Sequence, residues 1–426
     1  MHLLIYRTLK VLLFPLIFTL LAWRAFRGRE DRDNFPERRG IASQPRPNGP
    51  LLWVHGASVG EVVSTQPVLR ALRQQRPGLN LLLTTGTTNG RKMLTKIAAS
   101  LPGTGTTCVQ YVPLDTMGAT KAFIKHWNPS VSVFVESDFW PELLSRAPNP
   151  VLLNGRISDR SWPRYKRWGW FFRPLISRFG LVLAQRQTDA ERLMALGAKN
   201  VVVSGNLKFD ADPLPVDAAQ LEKFIAALNE RPVLVAGSTH PGEEAMVAQL
   251  HAALKPTVPN LLTIIVPRHP HRGTQAANEV ARFTKAVKRR GLGEMPVLGG
   301  ARHTDIYIAD SLGELGLWYR LASVALIGGS LVRHGGHNPL EPLKLGTPTL
   351  TGPHMFNFQD MLPTLVTAKL VNIAPDMPTL TRTIQRLLTN PAEMDTQQKH
   401  ILDAMPNLAG PSSTAAERIL NIMPLA

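Results

Sequence analysis

Two doubly wound α/β domains facing a cleft are what the sequence predicts, and three observations carry the expectation. Short apolar runs alternate with segments of helical spacing along most of the 426 residues. The runs are continuous rather than alternating in polarity, as strands of a parallel sheet covered on both faces must be. One break, Asp210-Ala-Asp-Pro-Leu-Pro-Val-Asp217, divides them into two sets, each long enough to bury its own core.

The elements follow in order. Residues 3–23 are largely apolar and carry only Arg7 and Lys10 as charges, and residues 11–23 carry no charge at all. Thirteen residues fall short of the roughly 20 that span a bilayer upright, so the whole segment is needed, with Arg7 and Lys10 snorkelling, or it lies at the interface. Arg24, Arg27 and Arg29 follow where a signal peptide would have a small-residue cleavage site. Positive charge after the apolar stretch favours an uncleaved anchor with a cytoplasmic body. A buried first helix is the plainer alternative.

Residues 30–48 are charged and proline-rich and read as a linker. Strands are then expected at 51–55, 79–85, 109–113, 131–135, 151–154, 181–184 and 201–204. After the break they resume at 233–236, 261–266, 305–309, 324–327, 347–351 and 370–373. Residues 414–423 have helical spacing and are expected to pack back across the domains. Ligands of such sheets bind beyond the carboxyl ends of the strands, so the cleft is the expected active site.

The formal net charge of +17 calls for an anionic partner: membrane surface, acidic substrate or nucleic acid. The single cysteine, Cys108, excludes a disulfide framework and a cysteine zinc cluster. Between 156 and 178, seven basic residues (Arg156, Arg160, Arg164, Lys166, Arg167, Arg173, Arg178) interleave with six aromatics (Trp162, Tyr165, Trp168, Trp170, Phe171, Phe172). The mixture suits a phospholipid-like surface or single-stranded nucleic acid, and the apolar amino terminus tilts the choice to membrane. A helix with a buried aromatic face and a solvated basic face is the plainer alternative.

The most informative motif is Gly328-Gly-Ser-Leu-Val-Arg-His-Gly-Gly-His-Asn-Pro-Leu-Glu341, between an apolar run and a helix start. A glycine-rich strand-to-helix turn lets backbone N–H groups approach an anion, and Asn338 and Glu341, three apart, can face one ligand. A carboxylate repels phosphate, so Glu341 suits ribose hydroxyls, and the segment reads as a nucleotide-sugar site. A plain capped turn is the structural alternative.

Other motifs sit at strand ends. His55-Gly-Ala-Ser-Val-Gly-Glu61 puts Glu61 at a helix start, where it can be a general base or simply a dipole-favoured glutamate. In Glu136-Ser-Asp-Phe-Trp-Pro-Glu142, Glu136 lies just past a strand, whereas Asp138 and Glu142 read as caps or solvated charges. Lys208 can offer positive charge to an anionic leaving group, or make a surface ion pair. Arg268 is placed for a phosphate. The nearby His269-Pro-His271 pair lacks a carboxylate cluster to complete a metal site. Asp210-Ala-Asp212 is better read as a turn than a metal motif. The Asp310-Ser-Leu-Gly-Glu314 turn offers further contacts to a nucleotide.

Together these motifs, with Asn154-Gly-Arg156, Gly205-Asn-Leu-Lys-Phe-Asp210, Gly237-Ser-Thr-His240 and Pro267-Arg-His-Pro270, resemble the 3-deoxy-D-manno-octulosonic acid (Kdo) transferases of lipopolysaccharide assembly. The resemblance runs in order over most of the chain and is weak near 211–230 and past about 375. It implies an inverting, metal-independent glycosyltransferase of the two-domain B type that needs no cofactor beyond its donor, CMP-Kdo. The acceptor would be a tetraacyl lipid A precursor, lipid IVA. It implies Glu61 as proton acceptor, and Glu136 and Lys208 as transition-state stabilisers. Arg268, His269, Leu312, Gly313, Glu314, Asn338, Pro339, Leu340 and Glu341 would bind CMP. The expected organisation is a membrane anchor (1–29), linker (30–48), acceptor-binding Rossmann-like domain (49–210), interdomain linker (211–230), nucleotide-sugar-binding Rossmann-like domain (231–405) and C-terminal helix (406–426). The expected location is the cytoplasmic side of a bacterial inner membrane, with no nucleic-acid partner. Two rivals stand beside it. One is another nucleotide-sugar transferase or epimerase, to be separated by CMP against UDP competition. The other is a nonenzymatic basic adaptor, which has no use for carboxylates at strand ends.

Overall fold

The structure, a computed structural model, describes residues 6–8, 10, 19, 23, 31, 33–300 and 303–424. It comprises two compact units, Met1–Ala211 with Ala409–Ala426, and Asp212–Leu408. The expected anchor, 1–29, lies almost wholly outside the described residues. Among those described, no helix is long and apolar enough to cross a membrane.

The first unit holds seven strands: β1 (Leu51–Gly56), β2 (Asn80–Thr85), β3 (Thr107–Tyr111), β4 (Val131–Val135), β5 (Pro150–Gly155), β6 (Leu181–Ala184) and β7 (Val201–Val203). They pair in parallel in the order β3-β2-β1-β4-β5-β6-β7. The chain winds outward from β1 to β3, then restarts at β4 on the other side of β1. The crevice for a ligand therefore opens beyond the ends of β1 and β4. Both faces are covered, which is why the strands read as continuous apolar runs. Leu52 and Val54 pack with Leu83, Val133 and Leu153 on one face, while Leu51 and Trp53 pack with Phe123, Trp127 and Phe134 on the other. Each such side chain, once fully buried, contributes about 1.5–3 kcal/mol.

The helix Pro411–Leu420 belongs to this unit. It lies on the helix Val59–Gln75, with Ala415, Ala416 and Ile419 in the same core. Asp210 caps it, accepting the N–H of Gly410 at 2.7 Å and of Ser412 at 2.5 Å. The Asp210-Ala-Asp212 motif is thus a helix cap. The stretch 30–48, expected to be a linker, is partly built into the fold. Its turn Phe35–Arg39 buries Glu37 and Arg38. Glu37 accepts the Tyr111 N–H at 2.7 Å and pairs with Arg91, while the Arg38 guanidinium sits 4.4 Å from the Tyr111 ring centre. Charges that suggested solvent are neutralised by one another and by an aromatic face.

The second unit holds β8 (Val233–Thr239), β9 (Leu262–Pro267), β10 (Val287–Arg289), β11 (Ile306–Ile308), β12 (Val324–Ile327), β13 (Thr349–Thr351) and β14 (Val371–Ile373). Their parallel order is β10-β11-β9-β8-β12-β13-β14, with the switch between β8 and β12. Strand β10 was not foreseen. It is a short edge strand containing Lys288 and Arg289, only half buried, so no apolar run marks it. The stretch 211–230, read as a linker, carries the helix Ala218–Leu228, capped by Asp217. That helix is part of the second unit, because Phe224 is fully buried against Trp318 and Tyr307 at ring distances of 4.9 and 6.1 Å.

Candidate active site

In the first unit, Glu61 and Glu136 come from the two strands that flank the switch point. Ser58 caps the helix Val59–Gln75 by accepting the Glu61 N–H at 3.3 Å. The Glu61 carboxylate turns back over the helix start, accepting the Ala57 N–H at 2.8 Å and the Ser58 hydroxyl at 3.0 Å. This is a variant of the capping box, and it fixes the carboxylate at the end of β1. Burial raises the Glu61 pKa; the Ala57 N–H opposes that, and repulsion from Glu136 and Asp138 adds to it. Glu136 follows β4 directly and holds φ at +60°, a left-handed conformation that costs a non-glycine residue about 1–3 kcal/mol. Its N–H donates to Leu153 O at 2.9 Å, so the strained turn stays tied to β5.

Asp138 and Glu142 are not solvated. Asp138 Oδ2 lies 2.7 Å from Nε2 of the fully buried His55, though off the axis a straight hydrogen bond needs. His55 Nδ1 is 2.9 Å from Thr84 Oγ1, and the Trp53 indole N–H donates to that same oxygen at 2.9 Å. Glu142 is buried and paired with Arg7 and, at 3.5 Å, with Arg146. Tyr6 donates to Asp115 Oδ2 at 2.6 Å, and Lys10 lies 4.0 Å from the same atom. Arg7 and Lys10 thus face carboxylates of the folded unit. Lys208 sits in the turn Leu207–Asp210, which lies against the helix Val59–Gln75. Leu207 N–H to Asn154 Oδ1, 3.2 Å, and Asn206 to Gln185 Oε1, 3.2 Å, hold that turn to the ends of β5 and β6.

The basic aromatic run divides between the two readings made of it. Tyr165 is buried, whereas Trp168 and Trp170 are 45% and 48% exposed, among exposed Arg164, Lys166, Arg167 and Arg173. Phe171 meets the Tyr6 ring at 6.2 Å, so the run adjoins the amino-terminal segment.

In the second unit, the glycine-rich turn departs from expectation. Two of its N–H groups, those of Gly329 and Leu331, are already taken by the Glu243 carboxylate. Glu243 Oε2 accepts from Gly329 N–H at 2.6 Å and His240 N–H at 2.9 Å, and Oε1 from Leu331 N–H at 2.9 Å. Gly336 and His337 N–H donate to Gly329 and Gly328 carbonyls at 2.8 and 3.1 Å. Side chains able to meet an anion stand nearby.

Those side chains gather at the ends of β8, β9 and β12. Arg268 and His269 follow β9 and are exposed. Arg268 lies close enough to favour the charged form of Glu341, whose Oε1 is 3.5 Å from Asn338 Nδ2. Burial nevertheless raises the Glu341 pKa to about 7. Pro339 and Leu340 are buried and carry these two residues, with Leu340 N–H donating to Asn338 Oδ1 at 3.1 Å. Leu312, Gly313 and Glu314 stand apart from this cluster. Leu312 is 86% exposed. Gly313 and Glu314 line a cavity of about 180 Å³ with Asp217 and Gln220. Glu314 is paired with Arg290 at 2.6 Å and bonded to Ser311, which lowers its pKa.

Sequence reasoning missed Glu243 and the assembly of His240, His334 and His337. Paired acids opening a helix after a strand, Gly242-Glu-Glu244, were the signal for the first. The histidines stood inside quoted motifs, yet nothing local says their rings meet. Among the described residues, no three His, Cys, Asp or Glu side chains are arranged to hold a metal ion.

Two all-parallel, doubly wound units define a chain with the B-type glycosyltransferase fold. Solved structures agree: UDP-GlcNAc 2-epimerase of Neisseria meningitidis bound to UDP-GlcNAc aligns with a TM-score of 0.56 at 13% identity, over 88% of this chain and 99% of that one. The glycotransferase of kitacinnamycin aligns at 0.52 and 14%, over 89% and 100%. Sequence is more specific. The family model described as 3-Deoxy-D-manno-octulosonic-acid transferase (kdotransferase) matches residues 33–211. The 3-deoxy-D-manno-octulosonic acid transferase of Bordetella pertussis is 34% identical, over 89% of this chain and 90% of that protein. The protein of the same description in Haemophilus influenzae is 32% identical over 90% of each. This chain belongs to the 3-deoxy-D-manno-octulosonic acid transferase family.

Proposed function

We propose that the chain transfers Kdo from CMP-Kdo to a hydroxyl of a lipid A precursor, lipid IVA, with inversion and without a metal. The observation that carries the chemistry is Glu61, a carboxylate held at the β1/β4 switch point, whose pKa is raised by burial and by two neighbouring acids. A base with a raised pKa holds a proton more firmly once it has taken it. The acceptor oxygen attacks the anomeric carbon as its proton passes to Glu61. The bond from that carbon to the phosphate oxygen breaks, and its electron pair leaves with CMP. Lys208 and Glu136 act on the charges that develop, and Arg268 meets the phosphate. Asn338 and Glu341 hold the ribose, with His269, Pro339 and Leu340 beside them, and the turn 312–314 borders the nucleotide.

The acceptor reading draws on the cationic aromatic surface. Exposed Trp168 and Trp170 among four exposed basic residues suit an anionic lipid layer, and Phe171 ties that surface to the amino-terminal segment. We accordingly propose the cytoplasmic face of an inner membrane as its location. Incubation with CMP-Kdo and lipid IVA, read by mass spectrometry, tests the whole reading. A product heavier by Kdo is expected. No transfer from CMP-Kdo, with turnover of a UDP-sugar instead, would overturn it.

A further inference from the structure

His240 and His337 stand at the β8/β12 switch point with their Nε2 atoms 2.8 Å apart and their rings parallel within 1°. Two imidazole nitrogens at that distance must share one hydrogen, one donating and one accepting. His334 stacks on His240 at 3.5 Å between ring centres, and His269 approaches it edge-on at 6.5 Å. His240 is buried, and its backbone N–H is fixed by Glu243. Of the two facing nitrogens one carries no hydrogen, and such a nitrogen can gain a proton.

We propose that His240 and His337 form a proton-accepting pair that balances the charge gained by the nucleotide phosphate as it leaves the sugar. The inference rests on the nucleotide reading of the second unit. While the donor is intact its phosphate is a diester with one negative charge. When the bond to the sugar breaks, the electron pair stays on the phosphate and a second charge appears. One proton taken from solvent by the pair offsets that charge. The second charge is thus met by a proton that is absent while the donor is intact, in addition to the fixed charge of Arg268.

The surroundings hold the pair neutral beforehand. Burial first, then His334, His269, Arg272 and Arg268, lowers His240 to about 4. Burial, then His240, Arg268, His334 and His269, lowers His337 to about 4. Glu243 faces His240 with both oxygens already engaged by backbone N–H groups. A dianion at this cationic edge reverses the balance, because an opposite charge within about 4–6 Å favours the protonated form.

The test is calorimetry of CMP binding to the full chain at pH 7, in buffers of different ionisation enthalpy, which counts protons taken up per CMP bound. At pH 7 a phosphate monoester is mostly a dianion, its second pKa being about 6. Uptake approaching one proton is expected in the unsubstituted protein. Uptake near zero is expected in His337→Gln and in His240→Gln, with binding weakened several-fold. CMP binding without proton uptake would overturn the pair's role and leave the nucleotide reading standing, as would undiminished uptake in both variants. No binding of CMP to the unsubstituted chain would overturn the nucleotide reading and the pair's role together. Glu341, with a pKa of about 7, belongs to the same proposed site, so Glu341→Gln is the control: uptake kept there and lost in the histidine variants assigns the proton to the pair, and uptake lost in Glu341→Gln alone would overturn the pair's role.

Discussion

Glu243 Oε2 accepts the backbone N–H of Gly329 at 2.6 Å. With the two further N–H groups it accepts, Glu243 closes the glycine-rich turn around an anion that belongs to the protein. Its own pKa is raised, chiefly by burial and against the pull of those donors. Those three hydrogen bonds hold the turn in place from within the protein.

Glu243→Ala leaves three N–H donors without an acceptor. Each buried unsatisfied donor costs about 1–3 kcal/mol. Urea unfolding is expected to show a loss of at least about 3 kcal/mol, with weaker CMP binding by calorimetry. Unchanged stability would mean that another group caps the turn.

Glu61→Gln keeps shape and removes the base. Turnover is expected to fall by about 10²-fold or more, with CMP binding nearly intact. Near-native turnover would move the role to Glu136.

Asp138→Asn removes one of the two negative charges that push the Glu61 pKa up. The base then ionises at lower pH, so the acid limb of the kcat/KM profile is expected to move to lower pH. An acid limb that stays in place, in a variant that folds, would separate Asp138 from the base.

Glu341 has a folded pKa of about 7 against its ordinary 4.5. The folded state binds its proton more tightly than the unfolded chain. The resulting stability is fully present below about 4.5 and is lost as pH rises through about 7. Thermal unfolding of Glu341→Gln is expected to lack this decline between those values. A pH profile parallel to that of the unsubstituted protein would contradict it. The Glu341→Ala change is expected to weaken CMP binding by about 1–3 kcal/mol.

Membrane association is expected to use two signals. Deleting residues 1–28 should weaken vesicle binding without abolishing it, and the remainder should fall with salt as charge attraction is screened. Trp168→Ala with Trp170→Ala in the deleted chain should remove most of what is left. Residual binding to neutral vesicles that ignores salt would count against the basic surface.

By itself the sequence determined the class of fold and the family. The runs 131–135, 181–184 and 324–327 match β4, β6 and β12 residue for residue, because strands buried on both faces have no polar side to blur them. Glycine turns and carboxylates at strand ends are local too, and the motifs that resembled Kdo transferases lie within a few residues of those ends. What only the tertiary structure decided are relations between distant positions. Residue 243 fills the turn at 329, the ring at 337 meets the ring at 240, and Arg7 pairs with Glu142. The helix Pro411–Leu420 joins the first unit. Buried charge also misleads local reading. Glu37, Glu142 and Glu243 look like solvent-facing acids in sequence, and only partners brought by the fold make their burial possible. Local pattern fixes which residues sit at a strand's end; which strands become neighbours, and hence which of those residues share a site, depends on the winding of the whole sheet.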